Sequence, residues 1–137
     1  MNRVVKYLTG PVRRAWRVRG FGVHSPFAYA YLRSVIHPQG GARYYAEDSI
    51  ASRRGRLLYR AAVEAGPEAM LTVGPDTTLG TPSGEIRTYV ATDPEAIVLL
   101  ERWAATLECG VMFRGPSMAI FCLRRGIPRQ RLEVAMP

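Results

Sequence analysis

The histidines and cysteines of this chain are the side chains best suited to bind a metal or act as nucleophiles. His24 and His37 stand too far apart to lie one helical turn from each other, and no other residues at ligand spacing accompany them. Cys109 and Cys122 are too few for a disulfide framework and lack the second cysteine pair of a zinc site. We therefore predict no metal site, and we interpret both cysteines as reduced and buried or, alternatively, as joined in a single bridge. No Ser/His/Asp order, phosphate loop or carboxylate pair is recognisable.

Asp93 is the carboxylate whose surroundings are most informative. It follows an apolar, β-branched run and precedes Pro94 and Glu95, a combination that is typical of the first turn of a helix. Helix capping thus explains Asp93 without any ligand.

The elements that must position these residues follow from periodicity and from glycine and proline punctuation. A basic, amphipathic segment from Val4 to Trp16 is interrupted by Gly10 and Pro11. Its apolar stripe is expected to pack on the domain, the alternative being a membrane anchor or a partner helix. Ser25 and Pro26 have the cap and first-turn chemistry that starts a helix, which is predicted over 26–36. Further helices are predicted from a cap at Asp48 or Ser49 to about Glu64, and over 96–107. Predicted strands cover 69–74, 86–92, 110–114, 117–124 and 131–136.

The segment between the first two predicted strands determines how they can pair. Residues 75–84 contain two prolines and two glycines, which do not favour the helix of a usual parallel crossover. A ten-residue loop suits a hairpin better. We therefore predict that strands 69–74 and 86–92 are antiparallel or unpaired.

The charge and the length of the chain limit the classes of protein to which it can belong. The 137 residues predict a single domain over 1–137, with a helical part at 1–66 and a partial α/β part at 67–137. The net charge of +8 is N-terminal, because residues 1–66 hold twelve basic against three acidic residues. Such asymmetry can mark a nucleic-acid or anionic membrane surface, or merely a solvated basic face. No apolar run of spanning length and no secretory signal is recognisable, so a cytoplasmic protein is expected.

Several segments, in order along the chain, resemble one family. They are Gly22-Val-His-Ser-Pro-Phe27, Tyr44-Tyr-Ala-Glu-Asp-Ser-Ile50, Arg53-Arg-Gly-Arg-Leu-Leu58 and Ala119-Ile-Phe-Cys-Leu-Arg-Arg-Gly-Ile-Pro-Arg-Gln130. The family is the class I S-adenosylmethionine-dependent methyltransferases, in a Bacteroidetes-type subgroup. The resemblance covers about half of the chain. It implies an α/β fold in which N-terminal helices pack on an incomplete Rossmann-like methyltransferase sheet with a C-terminal antiparallel hairpin.

The resemblance also implies which residues would meet the cofactor S-adenosylmethionine. Gly74 and Gly80 resemble the glycine turn after the first strand, where a missing side chain lets the backbone approach the ligand. Asp93 resembles the acidic residue that accepts hydrogen bonds from the ribose hydroxyls. His24 falls in a segment near the cofactor end of the sheet, where it is a candidate base or, alternatively, a structural imidazole.

The chain also departs from the family pattern. Thr72 stands where the family usually has an acidic residue, the glycine spacing is longer, and the helix after the turn and two substrate-lining strands are missing. We therefore expect a degenerate methyltransferase-like protein with weak or no catalysis and a binding or assembly role, its partner a small molecule or a protein. The alternatives are an active methyltransferase that completes its pocket as a homodimer, and a basic module for nucleic acid or a membrane surface.

Overall fold

The structure is a computed structural model that describes residues 25–38 and 49–137. The amphipathic segment from Val4 to Trp16 and the candidate base His24 lie outside the described residues.

The first described helix begins where its capping residues predict. In α1 (Pro26–Tyr31) the Ser25 hydroxyl accepts a hydrogen bond from the Ala28 amide, and Pro26 occupies the first turn. The chain continues as a π-helix, Leu32–Ile36, and His37 donates its amide to the Leu32 carbonyl over 2.7 Å. The predicted helix over 26–36 is confirmed, with a wider second half.

The second helix, α2 (Arg53–Ala65), begins later than the sequence pattern predicts. Ser52 is extended, and its hydroxyl accepts from the Gly55 amide at 2.9 Å. The prediction of a cap at Asp48 or Ser49 is therefore wrong. Gly66 ends the helix at a φ of 93° that favours glycine, and its amide donates to the Ala62 carbonyl.

The second half of the chain forms a mixed five-stranded sheet with a third α-helix. The strands are β1 (Met70–Thr72), β2 (Thr88–Ala91), β3 (Val111–Arg114), β4 (Ala119–Cys122) and β5 (Gln130–Glu133), in the order β1-β2-β4-β3-β5. Helix α3 (Pro94–Ala104) connects β2 to β3. Strand β4 is antiparallel to both of its neighbours, β2 and β3.

Strands β1 and β2 are adjacent and parallel, with Met70 opposite Thr88 and Thr72 opposite Val90. The prediction that they are antiparallel or unpaired is wrong. The strands are shorter than predicted, so their connection runs over the fifteen residues 73–87, which is long enough to cross over without a helix. We call residues 73–87 the crossover loop. Its Leu79 and Ile86 pack with α3 where a crossover helix would usually cover the sheet.

The C-terminal hairpin also differs from the expectation. The antiparallel hairpin is formed by β3 and β4, and the Gly115 amide donates to the Met118 carbonyl in its turn. Strand β5 instead pairs in parallel with β3, so β4 and β5 flank β3 and do not touch as a pair. The segment Ala119–Gln130, which carries part of the resemblance, therefore contains β4 and its connection to β5, and these two strands do not pair with each other. The turn after β4 leads the chain back past the start of β3, where the Gln130 amide donates to the Gly110 carbonyl.

The sheet has an apolar core on each face. Helices α1 and α2 and the π-helix cover one face, where Leu32, Leu57 and Phe113 are fully buried. Helix α3 and the crossover loop cover the other face, on which Leu100 and Phe121 are fully buried. A mixed α/β fold, with N-terminal helices packed on the sheet, is therefore confirmed for the described residues.

Candidate functional site

Gly74 and Asp93 come together at one edge of the sheet. Each follows the carboxyl end of a strand, and β1 and β2 are parallel neighbours, linked beyond Thr72 by the Val73 amide donating to the Val90 carbonyl at 2.7 Å. In open α/β sheets, ligands bind outside the carboxyl ends of such strands. The two residues that the resemblance assigns to the cofactor therefore follow the same ends of neighbouring strands.

The Gly74 amide and one carboxylate oxygen of Asp93 are engaged by the chain itself. The Gly74 amide donates to the Thr77 hydroxyl at 2.8 Å, which closes a small turn. The Asp93 carboxylate accepts from the Glu95 amide at 2.9 Å, and its carbonyl accepts from the Ile97 amide. Asp93 is thus the N-cap of α3, as its sequence context predicts, and it is exposed.

Gly80 lies elsewhere. Its carbonyl accepts a hydrogen bond of 2.9 Å from the indole N–H of Trp103, in the last turn of α3. Trp103 is ten residues after the cap Asp93, which corresponds to about 15 Å along a helix. Gly80 therefore anchors the crossover loop to the far end of α3, and the structure does not join it to Gly74 in one glycine turn.

A buried arginine links three elements and was not singled out by sequence reasoning. Arg124 is 8% exposed, and it donates to the Glu64 carboxylate at 2.8 Å and to the Thr88 hydroxyl at 3.3 Å. Its guanidinium also lies 5.2 Å from the centre of the Phe27 ring. Arg124 ends the predicted strand 117–124, and nothing in its local sequence indicates a buried ion pair with Glu64.

The two cysteines are free thiols in different surroundings. Cys109 is partly exposed and Cys122 is buried, so the alternative of a single bridge is not realised. Burial raises the pKa of the Cys122 thiol to about 12, an effect that the nearby Arg124 partly opposes. Cys122 is therefore a neutral, unreactive thiol at neutral pH.

A cleft opens on the α3 face of the sheet, between the end of α3 and strands β3 to β5. Its volume is about 360 Å³. Ala104, Met112 and Phe121 form an apolar floor, and Glu101, Arg129 and Arg131 stand around it. None of Gly74, Gly80 and Asp93 lines this cleft.

The arginines of α2 mostly bind their own chain. Arg54 donates to the Ser117 hydroxyl at 2.9 Å, Arg56 to the Ile50 carbonyl at 2.8 Å, and Arg60 to the Val35 carbonyl at 2.6 Å. The contacts of Arg54 and Arg60 hold α2 against the β3–β4 turn and the π-helix. Part of the N-terminal positive charge thus has a structural use.

Neither a metal centre nor a membrane span is found in the described part of the chain. Within 25–38 and 49–137, no three His, Cys, Asp or Glu side chains cluster as metal ligands would. No helix in the same ranges is long and apolar enough to cross a membrane. The chain matches no protein-family model, no curated protein and no solved structure.

Proposed function

We propose that this chain is a degenerate S-adenosylmethionine-dependent methyltransferase-like protein, with weak or no catalysis and a binding or assembly role. In this proposal its sheet is an incomplete relative of the Rossmann-like methyltransferase sheet. The proposal rests on the hydrogen bonds at the edge of the sheet where the two candidate cofactor residues lie. Gly74 and Asp93 are neighbours there, but the Gly74 amide and one oxygen of Asp93 bond to the chain itself.

The crossover loop supports the loss of cofactor binding. In a complete dinucleotide-type fold, a helix starts after the glycine turn and directs free backbone amides at the ligand. Here residues 73–87 contain no helix, and Gly80 is held by Trp103 at the far end of α3. The amides and the second glycine that would complete the site are therefore not gathered at the edge.

The energies support the same conclusion. A carboxylate that accepts hydrogen bonds from ribose hydroxyls contributes roughly 1.5–3 kcal/mol. Micromolar affinity requires about 8 kcal/mol. Asp93 alone cannot supply the difference, and without cofactor there is no methyl transfer. A binding role is the use that remains for the fold.

The proposal is tested by calorimetric titration of the purified protein with S-adenosylmethionine and S-adenosylhomocysteine. We expect no saturable binding below about 1 mM, which corresponds to about 4 kcal/mol. The same titration of Asp93→Asn and of the matched surface variant Glu108→Gln should be indistinguishable from that of the parent. Micromolar binding by the parent and by Glu108→Gln, lost in Asp93→Asn, would instead make Asp93 a cofactor ligand and contradict the proposed loss of cofactor binding.

A further inference from the structure

The cleft beside α3 has the make-up of a small-molecule site. Its volume of about 360 Å³ falls within the range of roughly 300–1,000 Å³ that is usual for ligand pockets. Its floor is formed by the apolar side chains of Ala104, Met112 and Phe121, which are almost fully buried. Such a floor accommodates a hydrocarbon or aromatic body.

Positive charge predominates around the cleft. Among the residues that line it, Arg129 and Arg131 stand against one carboxylate, that of Glu101. Glu101 is shared, since it accepts from Arg114 at 3.0 Å and from Arg131 at 3.2 Å. Glu101 is thus already paired, whereas Arg129 bonds to neutral carbonyls, so the cleft keeps a net positive charge that favours an anion.

Arg131 is the residue best placed to receive that anion. Its side chain is 50% exposed, and it makes one contact with Glu101 and one, at 3.4 Å, with Glu133. A guanidinium has five N–H donors in a planar fork. Donors therefore remain after both ion pairs are made, and the two glutamates hold the guanidinium at the mouth.

Arg129 shapes the opposite side of the cleft. It donates to the main-chain carbonyls of Ala105 and Leu107, just beyond the end of α3. Arginines near a helix C-terminus interact favourably with its carbonyls. The guanidinium of Arg129 thus fixes the end of α3 relative to the start of β5, and it keeps the cleft preformed.

We propose that this cleft binds a small organic anion with an apolar body. The body lies against Ala105 and over Met112, and the anionic group pairs with Arg131. The site is independent of Gly74 and Asp93, and it extends the proposed binding role by naming a ligand class. Failure of the cofactor proposal and failure of this one are separate outcomes, because they concern different probes and different residues.

The test uses a matched pair of fluorescent probes on the full chain. 8-Anilinonaphthalene-1-sulfonate carries an aromatic body and an anionic group, and N-phenyl-1-naphthylamine has the same skeleton without the charge. We expect the sulfonate to bind at one site with a blue-shifted, enhanced emission, and to be displaced by decanoate at a lower concentration than by decanol.

Three variants locate the site. Arg131→Gln should weaken sulfonate binding about fivefold, the effect of a partly exposed ion pair, and leave the neutral probe unchanged. Arg125→Gln, which removes an exposed arginine outside the cleft, should change neither probe. Ala105→Phe, at an exposed position of the cleft wall, should reduce binding of both probes. Far-UV circular dichroism and thermal melting establish that each variant is folded.

Two results would overturn the proposal: equal weakening by Arg131→Gln and Arg125→Gln, or unchanged binding in a folded Ala105→Phe. A second measurement does not depend on any variant. In backbone amide NMR spectra, decanoate should shift Ala105 and Gln130 first, whereas shifts confined to other regions would contradict the site.

Discussion

Trp103 donates its indole N–H to the carbonyl of Gly80 over 2.9 Å and so fastens the crossover loop to α3. The centre of the Trp103 ring lies 4.7 Å from the centre of the Tyr89 ring and 6.0 Å from that of Phe121, which it meets edge-on. One side chain therefore joins the helix, two strands and the loop that replaces a crossover helix.

Replacing Trp103 should loosen that loop. Trp103→Phe retains an aromatic ring but removes the donor, and we expect the free energy of unfolding in urea to fall by about 1–2 kcal/mol. Amide hydrogen exchange in residues 73–87 should become faster than in α2. Tyr29→Phe is the control, since it removes only an exposed hydroxyl that accepts from Arg33, and should cost less than about 0.5 kcal/mol. Unchanged exchange in the loop would show that the Gly80 contact does not hold it.

Gly110 should tolerate no side chain. Its φ is 114°, and an added Cβ would lie 2.5 Å from the Phe121 ring and 3.0 Å from the Cys122 carbonyl. Gly126 has a φ of 85° with open space around it, so it is a matched control for backbone strain alone. In equilibrium urea unfolding, we expect Gly126→Ala to lower the free energy of unfolding by about 1–2 kcal/mol. Gly110→Ala should lower it by clearly more. Equal losses would mean that the contact with Phe121 relaxes without cost.

The two cysteines should differ in reactivity. At pH 8, iodoacetamide should label Cys109 in the native protein, because this thiol is partly exposed and only the thiolate reacts. Cys122, with its pKa raised to about 12 by burial, should react only after unfolding in urea. Mass spectrometry of tryptic peptides distinguishes the two sites. Rapid native labelling of Cys122 would contradict its burial in the core.

The raised pKa of Cys122 also predicts a loss of stability in alkali. The unfolded thiol ionises near its ordinary value of 9.0, whereas the folded one holds its proton to about 12. The unfolded state is therefore favoured increasingly as the pH rises between these values. Between pH 8 and pH 10, the free energy of unfolding should fall less in Cys122→Ala than in the parent. An equal fall in both proteins would show that Cys122 is not the cause of the alkaline loss.

His37 should make the protein less stable as the pH falls. Its Nε2 contacts the Ala135 carbonyl. Burial lowers its pKa from 6.5, the bond to Ala135 partly opposes this, and the charges of Arg60 and Arg53 lower it further. The folded state thus binds the proton less readily than the unfolded chain. Its contribution to stability is complete above about pH 6.5 and is lost as the pH falls through the lowered pKa.

The measurement for His37 is urea unfolding of the parent and of His37→Gln at pH 7.5 and pH 5. The parent should lose more stability between these pH values than the variant, since all carboxylates are common to both. The same loss in both proteins would assign the acid sensitivity to other groups.

Much of the local structure is readable from the sequence, because its causes lie within a few residues. Ser25 with Pro26, and Asp93 with Pro94, start α1 and α3 as predicted, since a cap needs only the next three amides. The capping role of Asp93 is likewise a local property. At α2 the same logic placed the cap too early, because Ser49 and Ser52 offer the same chemistry and local sequence does not distinguish them.

Strand pairing and the composition of the candidate sites were decided only by the tertiary structure. Whether β1 runs parallel to β2 depends on the path of the crossover loop over α3, which Trp103 and Gly80 set from 23 residues apart. The cleft joins Glu101, Met112 and Arg131, which belong to three separate elements. Hydrogen bonds between strands and contacts across a sheet face form between residues that are distant in sequence. Local propensity and periodicity therefore do not predict them. The local pattern determines which segments become helix or strand, and packing determines which of their side chains meet.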